Sequence, residues 1–170
     1  MASDPFDQLM ASADPAMVVV TAAAGDERAG CLVGFHAQSS MDPHSYAVWI
    51  SKANHTFDVA VRASHLAVHF LTDADHELAR TFGTLTGDRV DKFTRVAWRR
   101  GPQGVPLLQG CDHGLVGRKV SLLDDGGDHV LVTIDPVEVW SREPFTPLRR
   151  SDVGDLTPAH DAEEHPDHPR

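Results

Sequence analysis

Long apolar runs and disulfide-forming cysteine patterns are both missing from this chain of 170 residues. The longest mainly apolar run, residues 16–24, is much shorter than the roughly 20 residues that span a bilayer. The N-terminus opens with acidic residues, whereas a secretory signal opens with basic ones. The only cysteines, Cys31 and Cys111, lie far apart without CxxC spacing, so we expect reduced thiols. These absences predict a cytoplasmic protein without a membrane segment.

Basic residues are also fewer than acidic ones. The chain has 15 Lys and Arg against 25 Asp and Glu, a formal net charge of −10, which argues against nucleic acid as the main partner. No GxxxxGK[ST], GxGxxG or GxSxG occurs, which argues against a P-loop kinase, a dinucleotide-binding Rossmann domain and an α/β-hydrolase. His76-Glu77 begins like a zinc helix, but Arg80 replaces the second histidine, so we predict no metal site.

The length suits one domain, which we place at residues 1–150. Residues 151–170 hold six acidic residues, one arginine and no aromatic residue. Such a segment buries too little apolar surface to offset its ordering entropy, so we predict a disordered acidic tail containing histidine and proline.

Hairpin-connected strands dominate the rest of the pattern. Residues 16–24 have a β-branched centre and end at Gly25-Asp26, which predicts a buried strand with residues 28–37 as its hairpin partner. Residues 84–110 contain two glycine and proline breaks, which predict short strands joined by loops. Alternation or turn signals indicate four further strands, at 44–51, 65–71, 113–123 and 128–140.

Three helices are predicted from capping signals and apolar spacing. Pro5 after Asp4 indicates a short opening helix. Asn54 would be the N-cap of a second helix, whose apolar stripe is Phe57, Ala60 and Val61. Thr72 or Asp73 would cap a third, which has its apolar positions at Leu78, Ala79 and Phe82 and ends at Gly83. The whole predicts a mainly β fold, a barrel of six or seven antiparallel strands with inserted helices.

One segment has the chemistry of an anion site. Lys52 lies just before the predicted helix start at Asn54, so an ammonium, the helix dipole and backbone N–H groups could converge on a phosphate. The alternative is an ordinary asparagine N-cap beside an exposed lysine. His65 and His69 share a strand face, and strand histidines of this kind are more often packing or hydrogen-bonding residues than metal ligands.

Seven short motifs follow one another between about residues 15 and 140. They are Gly30, Ser39-Ser40 with Asp42-Pro43, Asn54-His55-Thr56, Ala79 to Phe82, Lys92-Phe93, Val105 to Leu108, and Gly127-Asp128-His129. Their order and spacing resemble the flavin reductase-like, FMN-binding split-barrel family.

The resemblance implies an FMN site with a ring end and a phosphate end. The residues along the isoalloxazine ring would be Phe35, His36, Ala37, Gln38, Ser39 and Ser40, with Phe35 or His36 as the stacking surface. The phosphate would be held by Ser51, Lys52, Asn54, His55 and Thr56. Phe82 and Gly83 would close the pocket. His129 would lie on the nicotinamide side as the candidate catalytic residue, or would be an ordinary hairpin residue after a glycine-rich turn.

The function implied by the resemblance is an NAD(P)H:FMN oxidoreductase, a homodimeric flavin reductase that passes reduced FMN to a separate oxygenase. NADH or NADPH would be the hydride donor. Leu32, Gly34 and Phe35 stand where the family has small hydroxyl residues. This departure keeps two alternatives open, a non-catalytic flavin-binding module and a split barrel that binds haem or a deazaflavin.

Overall fold

The computed structural model describes residues 4–84 and 90–154. The α-helices of these ranges are α1 (Pro5–Ala13), before the first strand, and α2 (His55–Arg62) and α3 (His76–Thr84), which flank the fifth strand. The strands are β1 (Val18–Ala24), β2 (Glu27–Val33), β3 (His36–Met41), β4 (His44–Ser51), β5 (His65–Phe70), β6 (Trp98–Arg100), β7 (Pro106–Leu108), β8 (His113–Leu123) and β9 (His129–Ser141).

Seven of these strands form one sheet in the order β2-β1-β5-β8-β9-β4-β3, and every neighbouring pair is antiparallel. Strands β6 and β7 pair separately. The prediction of a mainly β fold with six or seven antiparallel strands and inserted helices is therefore confirmed. The short strands predicted between residues 84 and 110 are β6 and β7.

Strand β1 lies between two hydrophobic cores. Val18 and Val20 face a core that α2 covers, whereas Val19 faces a second core that includes residues of α3. Both faces of the strand are buried, which explains why its sequence reads as a continuous apolar run and not as an alternation. The buried strand predicted at 16–24 is confirmed.

The predicted partner strand at 28–37 is wrong at its C-terminal end. The β1–β2 ladder stops at the pair Val18 and Val33, and the backbone of the preceding residue, Met17, bonds to Leu148 and Leu71. The chain then crosses to β4, where the Trp49 N–H donates to the Phe35 carbonyl at 2.9 Å, and β3 pairs with β4 from His36 onward. Phe35 therefore lies at a strand junction.

The helix caps were predicted better than the buried helix faces. The Asp4 carboxylate accepts from the Phe6 N–H at 2.7 Å, and Thr72 forms a reciprocal cap with Asp75 before α3. The apolar stripe predicted for α2 is partly wrong, because Val61 is 44% exposed and Val59 is buried in its place. Docking on β1 and β2 sets the buried face of this short helix.

Residues at the start of the predicted tail belong to the folded part of the chain. Arg150–Val153 forms a short 3-10 turn, and Val153 is buried in the second core. The Asp14 carboxylate accepts from both the backbone N–H and the hydroxyl of Ser151 at 2.8 Å. The rest of the tail predicted as disordered, 155–170, lies outside the described residues. Within the described ranges, no helix has the length and apolar character needed to cross a membrane.

Candidate functional site

The ends of β4 and β9 bring together residues that are far apart in sequence. Ser51 pairs with His129 across the two strands, and the Lys52 N–H donates to the Asp128 carbonyl at 2.9 Å. The turn between β8 and β9 therefore lies directly beside the start of α2. Lys52 and His129, both predicted site residues, are neighbours for this reason.

Phe35 and His129 form the aromatic part of this region. Their ring centroids are 5.0 Å apart with a tilt of 57°, and Phe35 is 52% exposed. His129 Nδ1 lies 2.8 Å from a carboxylate oxygen of Asp128. Because a carboxylate only accepts, the proton is on Nδ1 and the imidazole has a fixed tautomer. This hydrogen bond also lowers the pKa of Asp128.

Lys52 provides the positive charge. Its side chain is only 8% exposed, and its ammonium lies 2.7 Å from a carboxylate oxygen of Asp124 in the β8–β9 turn. The ammonium is thus held at the start of α2, with an acidic partner from a different hairpin.

Asn54 occupies the predicted N-cap position of α2, but the predicted capping bond is wrong. Its backbone is extended, and across the described first turn of the helix its side chain makes no capping hydrogen bond. The first N–H groups of any helix have no intrahelical acceptor. Ser51 holds the segment between β4 and α2 in place. Its carbonyl accepts from the Asn54 N–H at 3.1 Å, and its hydroxyl accepts from the Ala53 N–H at 3.3 Å. The arrangement therefore presents backbone donors and a carboxamide close to Lys52.

His55 is oriented by a network that the sequence did not reveal. Its Nε2 lies 3.1 Å from the Glu27 carboxylate, which also pairs with Arg62 at the end of the same helix. The hydrogen bond from Arg62 lowers the pKa of Glu27. Glu27 is the first residue of β2, so the network ties α2 to the sheet. No periodicity or motif links residues at these separations.

The His36 side chain is bonded inside the protein, whereas the Phe35 side chain is exposed. Its Nδ1 lies 2.7 Å from the Tyr46 hydroxyl and its Nε2 lies 2.7 Å from the Ala16 carbonyl. Burial lowers the pKa of this imidazole. Of the two residues expected to provide a stacking surface, the geometry favours Phe35, because its ring is exposed whereas the His36 ring packs against Tyr46 and Phe70.

The remaining polar segment, Ala37 to Ser40, lies on β3 at the edge of the sheet. The Gln38 amide donates to the Ser40 carbonyl at 3.1 Å, and the Ser39 hydroxyl lies 2.7 Å from that of Ser45. A register shift occurs between Gln38 and Ser40. An edge strand presents backbone N–H and C=O groups on its outer side, so this segment offers backbone contacts to a ligand.

Two predicted site residues have buried side chains. Thr56 is 2% exposed, and its side chain lies beside the buried Cys31 thiol, whose pKa burial raises. Phe82 is 2% exposed and belongs to the second core, with its ring 5.7 Å from that of Phe93. Neither core includes Phe35, Lys52 or His129. Gly83 follows Phe82 within α3 and is half-buried.

The Lys92-Phe93 motif serves the same core. The Lys92 ammonium donates to the Gly30 carbonyl at 2.9 Å and to the Phe82 carbonyl at 3.2 Å, so it joins β2 to the last turn of α3. Burial lowers the pKa of this lysine. Gly30 is required at the same place, because an added Cβ would lie 2.8 Å from the Phe82 ring. These motif residues position elements of the fold.

His69, one of the two strand histidines, is confirmed as a hydrogen-bonding residue. Its Nδ1 lies 3.2 Å from the Val19 carbonyl, and its Nε2 accepts from the Leu108 N–H at 3.0 Å. Among residues 4–84 and 90–154, no group of three or more His, Cys, Asp or Glu side chains has a metal-binding arrangement.

The exposed region thus combines an aromatic surface, an ammonium beside a helix start, an oriented imidazole and an edge strand. Such a set suits a ligand with a planar, hydrogen-bonding ring and an anionic end. The combined site is defined by Phe35, Lys52, Asn54 and His129, and we refer to it below as the β4–β9 site.

Two curated proteins show what the chain is similar to. It is 26% identical over 117 residues to a probable flavin reductase of Rhizobium meliloti, a match that covers 66% of this chain and 36% of that protein. It is 28% identical over 130 residues to the 4-hydroxyphenylacetate 3-monooxygenase reductase component of Salmonella typhimurium, with 76% of each covered. The chain therefore spans only about a third of the length of the first of these relatives.

Solved structures show the same fold. A flavin reductase domain protein from Arthrobacter sp. FB24 superimposes with a TM-score of 0.77 at 21% identity, covering 86% of this chain and 89% of that one. An FMN-binding protein from Thermus thermophilus gives a TM-score of 0.73 at 23% identity, with 83% and 78% covered. The flavin reductase like domain matches residues 10–151. The resemblance seen in the sequence is confirmed, and the chain belongs to the flavin reductase like family.

Proposed function

We propose that this chain binds FMN in the β4–β9 site and acts as an NAD(P)H-dependent flavin reductase. The observation that carries the proposal is the convergence of the exposed Phe35 ring, the His129 imidazole and the Lys52 ammonium, which belong to different strands and turns. Family membership supports the same assignment.

The phosphate end of FMN would meet Lys52 and the first turn of α2. Backbone N–H groups without intrahelical partners and the positive end of the helix dipole favour a phosphate there. The Asn54 carboxamide, which makes no cap bond in this described turn, adds a polar group. Because the Thr56 side chain is buried against Cys31, we assign its contact to the backbone.

The ring end would lie against Phe35 and the outer edge of β3. Leu32 and Gly34 lack hydroxyl groups, so backbone groups of Ala37 to Ser40 replace side-chain donors. When bound, the flavin accepts a hydride at N5 from the nicotinamide of NADH or NADPH. The role of His129 would be to position the nicotinamide, because the hydrogen bond to Asp128 holds the imidazole ring in one orientation.

Flavin binding tests the site directly. In a Lys52→Ala, Asn54→Ala double variant, we expect FMN affinity to fall at least about tenfold, since a charge-assisted hydrogen bond contributes about 1.5–3 kcal/mol. Riboflavin, which lacks the phosphate, should bind both proteins about equally. Quenching of flavin fluorescence measures both affinities. Unchanged FMN affinity in the double variant would refute the phosphate assignment.

NAD(P)H oxidation by the FMN-loaded protein separates a reductase from a flavin-binding module. The missing hydroxyl groups at residues 32–35 favour the module as the second candidate function. Turnover of NADH or NADPH supports the reductase. Tight FMN binding without turnover supports the module, and a Soret band in the purified protein would instead indicate haem.

We further propose that two copies of the chain pair through the β8–β9 hairpin. Its exposed apolar side chains are Val120, Leu122, Leu123, Val137 and Val139. Large exposed apolar side chains that lie along one element are candidates for contact with a partner. Val137→Lys, Val139→Lys should shift a homodimer to monomer in analytical ultracentrifugation, whereas Val61→Lys on α2 serves as a matched exposed control. A dimer that survives the double change would refute this interface.

The physiological role we propose is delivery of reduced FMN to a separate oxygenase. Support comes from the Salmonella relative, which is named as the reductase component of a monooxygenase. A reductase that supplies another enzyme must release its flavin, so FMN should exchange on the timescale of turnover. Stopped-flow displacement of FMN by excess riboflavin would measure that exchange.

A further inference from the structure

A carboxylate of the β8–β9 turn forms an ion pair with the lysine of the β4–β9 site, Lys52. Asp124 accepts from Lys52 Nζ at 2.7 Å and, through the same oxygen, from the Gly126 N–H at 2.9 Å. The Lys52 side chain is 8% exposed and that of Asp124 is 48% exposed. Lys52 is therefore the enclosed partner and Asp124 the accessible one.

The backbone holds this turn in place beside the lysine. The Lys52 N–H donates to the Asp128 carbonyl at 2.9 Å, at the other end of the same turn. Gly126 has a φ of +95°, a conformation that glycine adopts without strain. The Asp124 carboxylate is thus anchored from both the main chain and Lys52.

We propose that Asp124 is a specificity-determining residue that competes with the flavin phosphate for Lys52. The inference rests on the proposed function, because it concerns the same site. A nearly enclosed ammonium requires an anionic or hydrogen-bonding partner, and carboxylate and phosphate oxygens meet that need in the same way. Both anions beside one ammonium would repel each other.

The consequence is that part of the favourable interaction between the phosphate and Lys52 is offset by the interaction that Lys52 already makes with Asp124. Binding of the phosphate is therefore weaker than an uncompensated lysine would allow. A weaker phosphate contact would let FMN dissociate faster, which suits the proposed delivery of reduced FMN to another enzyme. Removing the carboxylate should strengthen the binding of phosphate-bearing flavins selectively.

The same turn supplies a matched control. The Asp125 carboxylate is adjacent in sequence, but it accepts from the Gly127 N–H at 3.4 Å, whereas within the described part of the chain it is Asp124 that pairs with Lys52. Asp125→Asn removes the same charge from the same turn as Asp124→Asn. A general electrostatic effect on flavin binding should appear in both variants. Loss of competition for Lys52 should appear only in Asp124→Asn.

The experiment compares FMN and riboflavin affinities of the full chain by quenching of flavin fluorescence. We expect Asp124→Asn to raise the preference for FMN over riboflavin by about tenfold, equal to about 1.4 kcal/mol. Asp125→Asn should change this preference by less than about twofold. In a Lys52→Met background only the repulsion between the carboxylate and the phosphate remains, so Asp124→Asn should raise the preference by less than it does in the wild-type chain.

The outcomes separate the inference from the proposed function. If the wild-type chain binds FMN but Asp124→Asn leaves the preference unchanged, or changes it no more than Asp125→Asn does, the competition is refuted and the FMN site stands. If the wild-type chain binds neither flavin, both are refuted. Asn keeps the oxygen that accepts from Gly126, and Asp124→Ser provides a second variant if the first does not fold.

Discussion

Acid should destabilise the fold through His69, a fully buried residue of β5 whose side chain bonds to β1 and β7. Both ring nitrogens are used in the neutral form, because Nδ1 donates to the Val19 carbonyl and Nε2 accepts from the Leu108 N–H. Protonation of Nε2 would set its N–H against the Leu108 N–H, so that two donors would face each other. It would also place a positive charge inside the core. Burial accordingly lowers the pKa of His69 from 6.5 to about 4.

The sign and size of the effect follow from this difference in pKa. Between about pH 6.5 and pH 4 the unfolded chain binds a proton at this histidine while the folded chain does not, so stability falls as the pH falls. At about 1.4 kcal/mol for each pKa unit, the loss over this window is about 3 kcal/mol. Above pH 6.5 the contribution is complete.

Urea unfolding at several pH values measures the effect in a comparison of wild type with His69→Gln. The variant lacks the titrating group, so the difference in unfolding free energy between the two proteins should shrink by about 3 kcal/mol between about pH 7 and pH 4. His65→Gln on the same strand retains His69 and should follow the wild-type pH dependence. Parallel curves for wild type and His69→Gln would refute the reasoning.

Two further substitutions test the packing and the ring end of the site. Gly30→Ala should lower the unfolding free energy by about 1–3 kcal/mol, because the new Cβ would lie 2.8 Å from the Phe82 ring and 3.2 Å from Thr21 Cγ2. Gly127→Ala, where the nearest atom is 3.6 Å away, is its control, and equal stability of the two variants in urea would contradict the packing argument. Phe35→Ala should weaken FMN and riboflavin alike by about tenfold in fluorescence titrations, since an aromatic contact contributes about 0.5–1.5 kcal/mol beyond its buried area. Loss of FMN binding alone would place Phe35 at the phosphate end instead.

Local signals in the sequence predicted most of the elements. The valines of β1, the caps at Asp4 and Thr72 and the glycine-rich turn between β8 and β9 each act over a few residues. The strand junction at Phe35 was missed because it depends on where β1 begins and on which strand accepts the chain next. The buried face of α2 was predicted only in part, because packing against the sheet, and not the sequence of the helix itself, determines which of its side chains are buried.

The site was predicted in part for the same reason. Lys52 and Asn54 are adjacent in sequence, so their shared place at the start of α2 could be inferred locally. Glu27 and Asp124 could not be found, because each reaches its partner through a contact between distant segments. Phe82 was assigned to the pocket from its motif, whereas packing against Phe93 places it in a core.

Anaerobic titration of the FMN-loaded protein with NADH and with NADPH tests the central proposal most directly. We expect at least one nicotinamide to bleach the oxidised flavin band of the bound FMN, with one equivalent sufficient for full reduction. Tight FMN binding with no bleaching by either nicotinamide would contradict the reductase assignment, and with it the proposed role of His129.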